Sequence, residues 1–135
     1  MNLRSARSKA EKMLAVALKA QLGSSFDDFD IRPSGAAGAI APPYGVVILD
    51  ELEPIAPDVY RTESGKVRII SANDDLEEHD RRRDAVGTAL QNLRDGLDDA
   101  TLDCRIYGLF VTRCSDLPED NRLVDAFQLA MGLSG

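Results

Sequence analysis

Residues 76–97, LEEHDRRRDAVGTALQNLRDGL, constrain the fold more than any other stretch, because a start signal, an apolar stripe and a stop coincide there at helical spacing. Asp74 and Asp75 are N-cap residue types, and Glu77 or Glu78 three positions on completes a capping box in either register. Asp74, Asp75, Glu77, Glu78 and Asp80 crowd the turns where the helix dipole favours negative charge. Glu77 with Arg81, and Glu78 with Arg82, are i,i+4 pairs in the better orientation, each contributing about 0.2–0.5 kcal/mol. Leu76, Val86, Leu90, Leu93 and Leu97 fall within one arc, and Gly96 supplies the stop. The spacing therefore predicts a helix whose leucine stripe faces a core and whose charged outer face meets water.

His79 is the only histidine, and with Arg83 it falls on the apolar arc rather than the wet face. A catalytic or ligating His79 would need a nucleophile, a carboxylate or a metal co-ligand brought from elsewhere in the chain. The simpler expectation is that the first two turns overhang the core and that His79 and Arg83 point toward a neighbour.

At 135 residues the chain suits one domain with its own core, residues 1–135, without disulfides or metals as staples. Tryptophan is absent, so the core must be mostly aliphatic. The formal net charge of −7 argues against a sequence-reading nucleic-acid binder. That charge is uneven: Arg4, Arg7, Lys9, Lys12 and Lys19 against Glu11 give the first 22 residues +4, which leaves −11 for the remainder. A basic first element could dock on an acidic surface, its own or a neighbour's. Cys104 and Cys114, ten residues apart on one expected strand, would stand roughly 33 Å apart, beyond disulfide reach. They read as free thiols of a reducing compartment. The one candidate apolar run, Met13–Leu18, is too short for a bilayer span and is flanked by lysines, so a cytoplasmic, membrane-free protein is expected.

Residues 3–22 predict a second amphipathic helix. Leu3, Ala6, Ala10, Met13, Leu14 and Ala17 share its inner face, and Arg4, Ser8, Glu11, Lys12 and Lys19 its outer one. Phe26, Phe29 and Ile31 suggest a short edge strand. Asp27, Asp28 and Asp30 among them lack the spacing of a calcium loop. Pro33–Pro43 is a flexible Gly/Ala/Pro loop with no phosphate-binding glycine pattern. Tyr44–Leu49 reads as a core strand, and Glu53-Pro54 with Ala56-Pro57 as a loop. Val59–Thr62 and Lys66–Ser71 flank Glu63-Ser64-Gly65 as a hairpin. Cys104–Arg113 is apolar on both faces and reads as an interior strand, with Tyr107 and Phe110 on opposite sides. Asn121–Leu133 fits either a helix or a strand pairing back on Cys104–Arg113.

The fold class that follows is α+β, a mostly antiparallel sheet of about four to six strands packed against two main helices at about 3–22 and 75–95. Element order and residue types in Pro42-Pro43-Tyr44-Gly45-Val46-Val47-Ile48, Val67-Arg68-Ile69-Ile70, Glu77-Glu78-His79-Asp80, Ile106-Tyr107 and Asp120-Asn121-Arg122-Leu123-Val124-Asp125 resemble the tail terminator and completion proteins of long-tailed bacteriophages. In that family the closing segment is a strand, which favours the strand reading of Asn121–Leu133. The resemblance implies a non-enzymatic virion protein, assembled in the bacterial host cytoplasm and located in the tail or neck. Its subunits form a ring, commonly a hexamer, that caps the tail tube and meets the head-side connector, with DNA at most passing through. It brings no cofactor, metal or catalytic residue. Exposed charge makes Arg4, Lys12, Lys19, Arg68, His79, Arg81, Arg82 and Arg83 the candidate interface residues. Other readings are a head–tail adaptor or neck protein, a small cytosolic protein-interaction module, and, from a different class, a metal-dependent phosphodiesterase using Asp27, Asp28 and Asp30 with His79.

Overall fold

The computed structural model describes residues 3–35, 41–114 and 121–135. Both expected helices are present: α1 spans Leu3–Leu22 and α2 spans Leu76–Asn92. Strands β1 (Asp30–Pro33), β2 (Tyr44–Ile48), β3 (Glu53–Ala56), β4 (Val59–Ala72), β5 (Leu97–Asp99), β6 (Cys104–Cys114) and β7 (Arg122–Ser134) form one sheet. Its order is β1-β2-β4-β7-β6-β5, with β3 also pairing to β4. The class is α+β, and the last segment is a strand. Seven strands exceed the four to six expected, because two short segments read as loop or helix end pair at the sheet margins. Every pairing is antiparallel except β1 with β2.

The expected Val59–Ser71 hairpin does not form. Residues 59–72 run as one strand that pairs with β7 from Val59↔Ser134 to Ala72↔Arg122. Thr62 stands opposite Met131 and Gly65 opposite Leu129, so one extra residue is accommodated as a bulge where the turn was expected. Gly65 permits close approach there: a Cβ would lie 2.7 Å from Leu49 Cδ2, and the leucine would have to shift to admit it. The reversal falls earlier. Glu53–Ala56, expected as loop, is β3, and it turns into β4 through Pro57 and Asp58, whose φ is 57°.

Helix α2 starts where expected, with Asp75 at the N-cap. It ends at Asn92, short of the expected end at about 95: Leu93 closes it, and Leu97 is the first residue of β5 rather than part of the stripe. Val86, Leu90 and Leu93 do face the core, whereas Leu76 is 59% exposed. Gly96 lies between helix and strand with φ 102°, and a Cβ there would sit 2.3 Å from the carbonyl oxygen of Ile106.

One apolar cluster joins α1 (Leu14, Leu18), α2 (Val86, Leu90) and the strands (Val47, Val67, Ile69, Leu129, Leu133). Glu11, expected on the wet face of α1, is buried at its centre of attachment. Its carboxylate accepts the backbone N–H of Ser34 at 3.0 Å and of Leu49 at 2.9 Å, and the Ser34 hydroxyl at 2.7 Å. Arg7 approaches it at 3.4 Å. One carboxylate thus ties α1 to the chain after β1 and after β2. Part of the Pro33–Pro43 loop, residues 36–40, lies outside the described residues, as does the 115–120 connection.

Gly96→Ala is expected to destabilise the protein by about 2 kcal/mol or more, since a side chain meets both an unfavourable φ and a backbone oxygen. Urea unfolding of the two proteins measures it; a loss below about 0.5 kcal/mol would show that the α2–β5 turn relaxes freely.

Candidate functional site

The polar interior sits where α2 crosses β4 and β7. Ile69 of β4 pairs with Asp125 of β7, so Asp125 and, two residues on from Ile69, Ser71 stand on the face under the helix. His79, one turn into α2, reaches between them. Its Nδ1 is 2.8 Å from Ser71 Oγ and its Nε2 is 2.9 Å from Asp125 Oδ2. Arg82, one turn further, donates from Nη1 to Ser71 Oγ at 3.1 Å and to Asp75 Oδ2 at 3.0 Å. With the proton on Nε2, every group is satisfied: His79 donates to Asp125, Ser71 donates to His79 Nδ1, and Arg82 donates to Ser71. Asp125 also has Arg83 Nη1 at 3.7 Å and Arg113 Nη2 at 3.4 Å.

The nucleophile and carboxylate that a catalytic His79 would require are therefore both present, in serine–histidine–aspartate order. Their setting opposes hydrolysis. Ser71 is 0% exposed and His79 2%, so no substrate carbonyl can approach the hydroxyl. The Arg82 guanidinium occupies a lone pair of Ser71 Oγ, where the nucleophile would have to attack. A groove between α2 and the end of β6, lined by Arg83, Asp84, Gly87, Thr88, Val111 and Phe127, reaches neither Ser71 nor His79. The arrangement fastens the first two turns of α2 to two strands at once.

This corrects two expectations. His79 does not overhang the core toward a neighbour, and Arg82 is not on the wet face: it is 3% exposed, with Asp75 and, at 3.9 Å, Asp28 as carboxylate partners. The other candidates spread over separate surfaces. Arg81 is exposed, pairs with Glu78 at 2.9 Å and lies 4.4 Å over the Phe26 ring. Arg83 pairs with Asp80 at 2.8 Å and Asp84 at 3.2 Å. Burial works against the Arg83 guanidinium, but these carboxylates prevail and hold its pKa above the ordinary arginine value. Lys19 is half-buried and donates to the carbonyls of Phe26 and Phe29 at 2.5 and 2.6 Å, closing the turn after α1. Arg4 and Lys12 are exposed along α1, and Arg68 is half-buried on β4. Asp27, Asp28 and Asp30 are exposed, and Asp28 reaches the buried chain only through Arg82. Among the described residues no three His, Cys, Asp or Glu side chains converge to hold a metal. Cys104 is a buried free thiol whose pKa is pushed up by that burial.

The register reveals a surface that residue types alone did not. Ile48, Lys66, Gln128 and Thr112 pair across β2, β4, β7 and β6 on the face away from both helices. Among the described residues no helix covers that row, although Ile70 and Ala126 further along the same face are buried. Tyr107 pairs with Gly132 and Phe110 with Ala130, so one extra residue enters β6 beside Gly108, whose φ is 62°. That bulge brings Tyr107 and Phe110 to the same outer face instead of opposite ones. Phe110 is 70% exposed, the most exposed of the large aromatic side chains, and the Tyr107 ring lies against the bare backbone of Gly132. A glycine inside a strand was the available signal. No helix among the described residues is long and apolar enough to cross a membrane. The chain matches no protein-family model and none of the curated proteins.

Ser71→Ala leaves His79 Nδ1 and one Arg82 donor without their buried partner and is expected to cost about 1–3 kcal/mol in stability. The same protein, unmodified, should resist a fluorophosphonate serine probe until it is denatured. Rapid labelling of Ser71 in the folded protein would restore the hydrolase reading.

Proposed function

We propose that this chain is a structural virion subunit, a tail terminator or completion protein, that assembles as a ring capping the tail tube and meeting the head-side connector of a long-tailed bacteriophage. The observation that carries the reading is the outer face of the sheet, which no helix among the described residues covers and on which Phe110 is 70% exposed beside Tyr107. A two-layer domain that packs both helices on one face leaves the other to water or to a partner, and exposed aromatics are the side chains that anchor a partner. The α+β order, helix first and long strands last, accords with the resemblance carried by Pro42–Ile48, Val67–Ile70 and the Glu77–Asp80 helix start. The single histidine and its serine and aspartate neighbours are spent on internal fastening, which leaves surface contact as the work of this chain. On this reading the strand face meets the tube protein, and DNA passes without being gripped, in keeping with the formal charge of −7.

The purified protein, alone and mixed with tail tube protein, should give ring-shaped particles in negative-stain electron microscopy and a ring-sized mass by light scattering. Phe110→Asp should weaken tube binding by about tenfold or more while the unfolding midpoint stays near wild type, because the side chain is already exposed. A strict monomer that never joins tube protein at any concentration would sink the reading.

A further inference from the structure

One margin of the sheet is β5, and it covers only the start of β6: the pairing runs from Asp99↔Cys104 to Leu97↔Ile106. Beyond Ile106, β6 continues to Cys114 with β7 on one side and, among the described residues, no strand on the other. Past the bulge at Gly108, residues 109–114 form an open edge roughly 20 Å long. Alternate residues of an antiparallel strand turn both N–H and C=O away from their partner, so this edge carries main-chain donors and acceptors that no described strand takes up.

The other margins are guarded. β1 holds Asp30, Arg32 and Pro33, β3 holds Glu53 and Pro54, and β5 is three residues long with Asp98 and Asp99. Charges and prolines of this kind keep a sheet from accepting another strand. Residues 109–112 of β6, LFVT, contain neither.

The groove between α2 and the end of β6 lies beside the same edge, on the helix face. Gly87, Thr88 and Gln91 of α2 line it, with Val111 and Phe127 of the sheet. Its arginines are already matched within the chain, Arg83 by Asp80 and Asp84, and Arg113 by Asp125 at 3.4 Å. On the outer face of the edge stand the exposed side chains of Phe110 and Thr112. A strand laid along β6 would send alternate side chains into the groove and beside Phe110, and would meet no unmatched charge on either side.

We infer that the free edge of β6 is a docking site for an extended segment of a partner protein, which joins the sheet as a further strand. Main-chain hydrogen bonds hold the segment, and the groove and Phe110 select uncharged, β-branched or aromatic residues at alternate positions. A second β6 suits the edge less well. An antiparallel pair built on residues 109–114 sets Arg113 of each copy opposite Leu109, Val111 or Arg113 of the other, an apolar side chain or a like charge. The site adjoins the Phe110 face but works through main chain, and it stands whether or not the chain forms a ring.

The test pans a display library of random nine-residue peptides against the folded full-length protein. Enriched peptides should show the alternating uncharged pattern, and binding one should protect amides of residues 109–114 from hydrogen exchange. Thr88→Arg, at an exposed helix position, puts a bulky charge into the groove. Thr112→Pro and Arg113→Pro each remove one N–H, and because successive N–H groups alternate, one proline cuts the β7 ladder and the other only the free edge. The proline that leaves thermal unfolding near wild type, and Thr88→Arg, should each weaken peptide binding by about tenfold or more. If both prolines unfold the chain, Thr88→Arg and the exchange pattern decide. A library that yields no binder, peptides that bind the variants as tightly as wild type, or protection confined to other segments overturns the inference. A dimer that protects residues 109–114 and is lost in the same variants gives the edge to a second copy and overturns it too.

Discussion

The pairing of β4 with β7 is the constraint on which the rest of this molecule depends. It runs the length of both strands, from Val59↔Ser134 to Ala72↔Arg122, and every other strand except the two margins attaches to one of them. Because side chains alternate along a strand, this register decides which residues lie under the helices. It sets Asp125 beside Ile69 and places Ser71 on the same face, ready for His79. A slip of β7 by one residue would turn Asp125 outward and leave the buried imidazole Nε2 without its partner. Polar groups in the interior make such a shift costly, so the Ser71–His79–Asp125–Arg82 chain contributes to a unique register as well as to stability. The bulge at Thr62–Gly65 is what lets two strands of this length stay paired while Leu49 packs against Gly65.

Charge in the sequence and charge at the surface turn out to be different quantities. The run Arg81-Arg82-Arg83 reads as a basic face, yet Arg82 is interior, Arg83 faces three carboxylates and Arg81 lies over Phe26 beside Glu78. Lys19 and Glu11 are likewise consumed by backbone groups. Subtracting these pairs removes most of the middle of the chain from consideration as a charged docking surface.

How much could be read from residues alone follows from how local each signal is. Both helices were legible because 3.6-residue periodicity repeats over many turns, and β2 and β6 because apolar runs of that length have few alternatives. The end of α2 was misplaced because Leu97 continues the leucine spacing by coincidence while Gly96, whose φ only glycine accepts readily, ends the element first. The false hairpin had the same origin: Glu63-Ser64-Gly65 has hairpin composition, and only the long-range pairing with β7 keeps the chain straight through it. Glu11 and Arg82 were placed outside because a charged side chain carries no local mark of its partner, and Ser34, Leu49 and Ser71 lie 23, 38 and 11 residues away in sequence. Ser71 and Asp125 could be found as partners of His79 only once β4 and β7 were in register.

The bulge in β6 shows how one such non-local feature creates a surface. With strict alternation, Tyr107 and Phe110 would face opposite ways, one of them toward the helices. One inserted residue beside Gly108 reverses the phase, buries Leu109 in the core, and leaves Phe110 in the open row with Thr112 and Ala130. The same insertion keeps Ile106 and Val111 on the helix side of the strand, so the core loses nothing by it. An exposed phenylalanine adds nothing to the folded monomer, and its ring is an aggregation hazard unless covered. No helix among the described residues covers the strand face on which it sits, with Tyr107 beside it against Gly132, and a partner that removes both rings from water is what we propose for it.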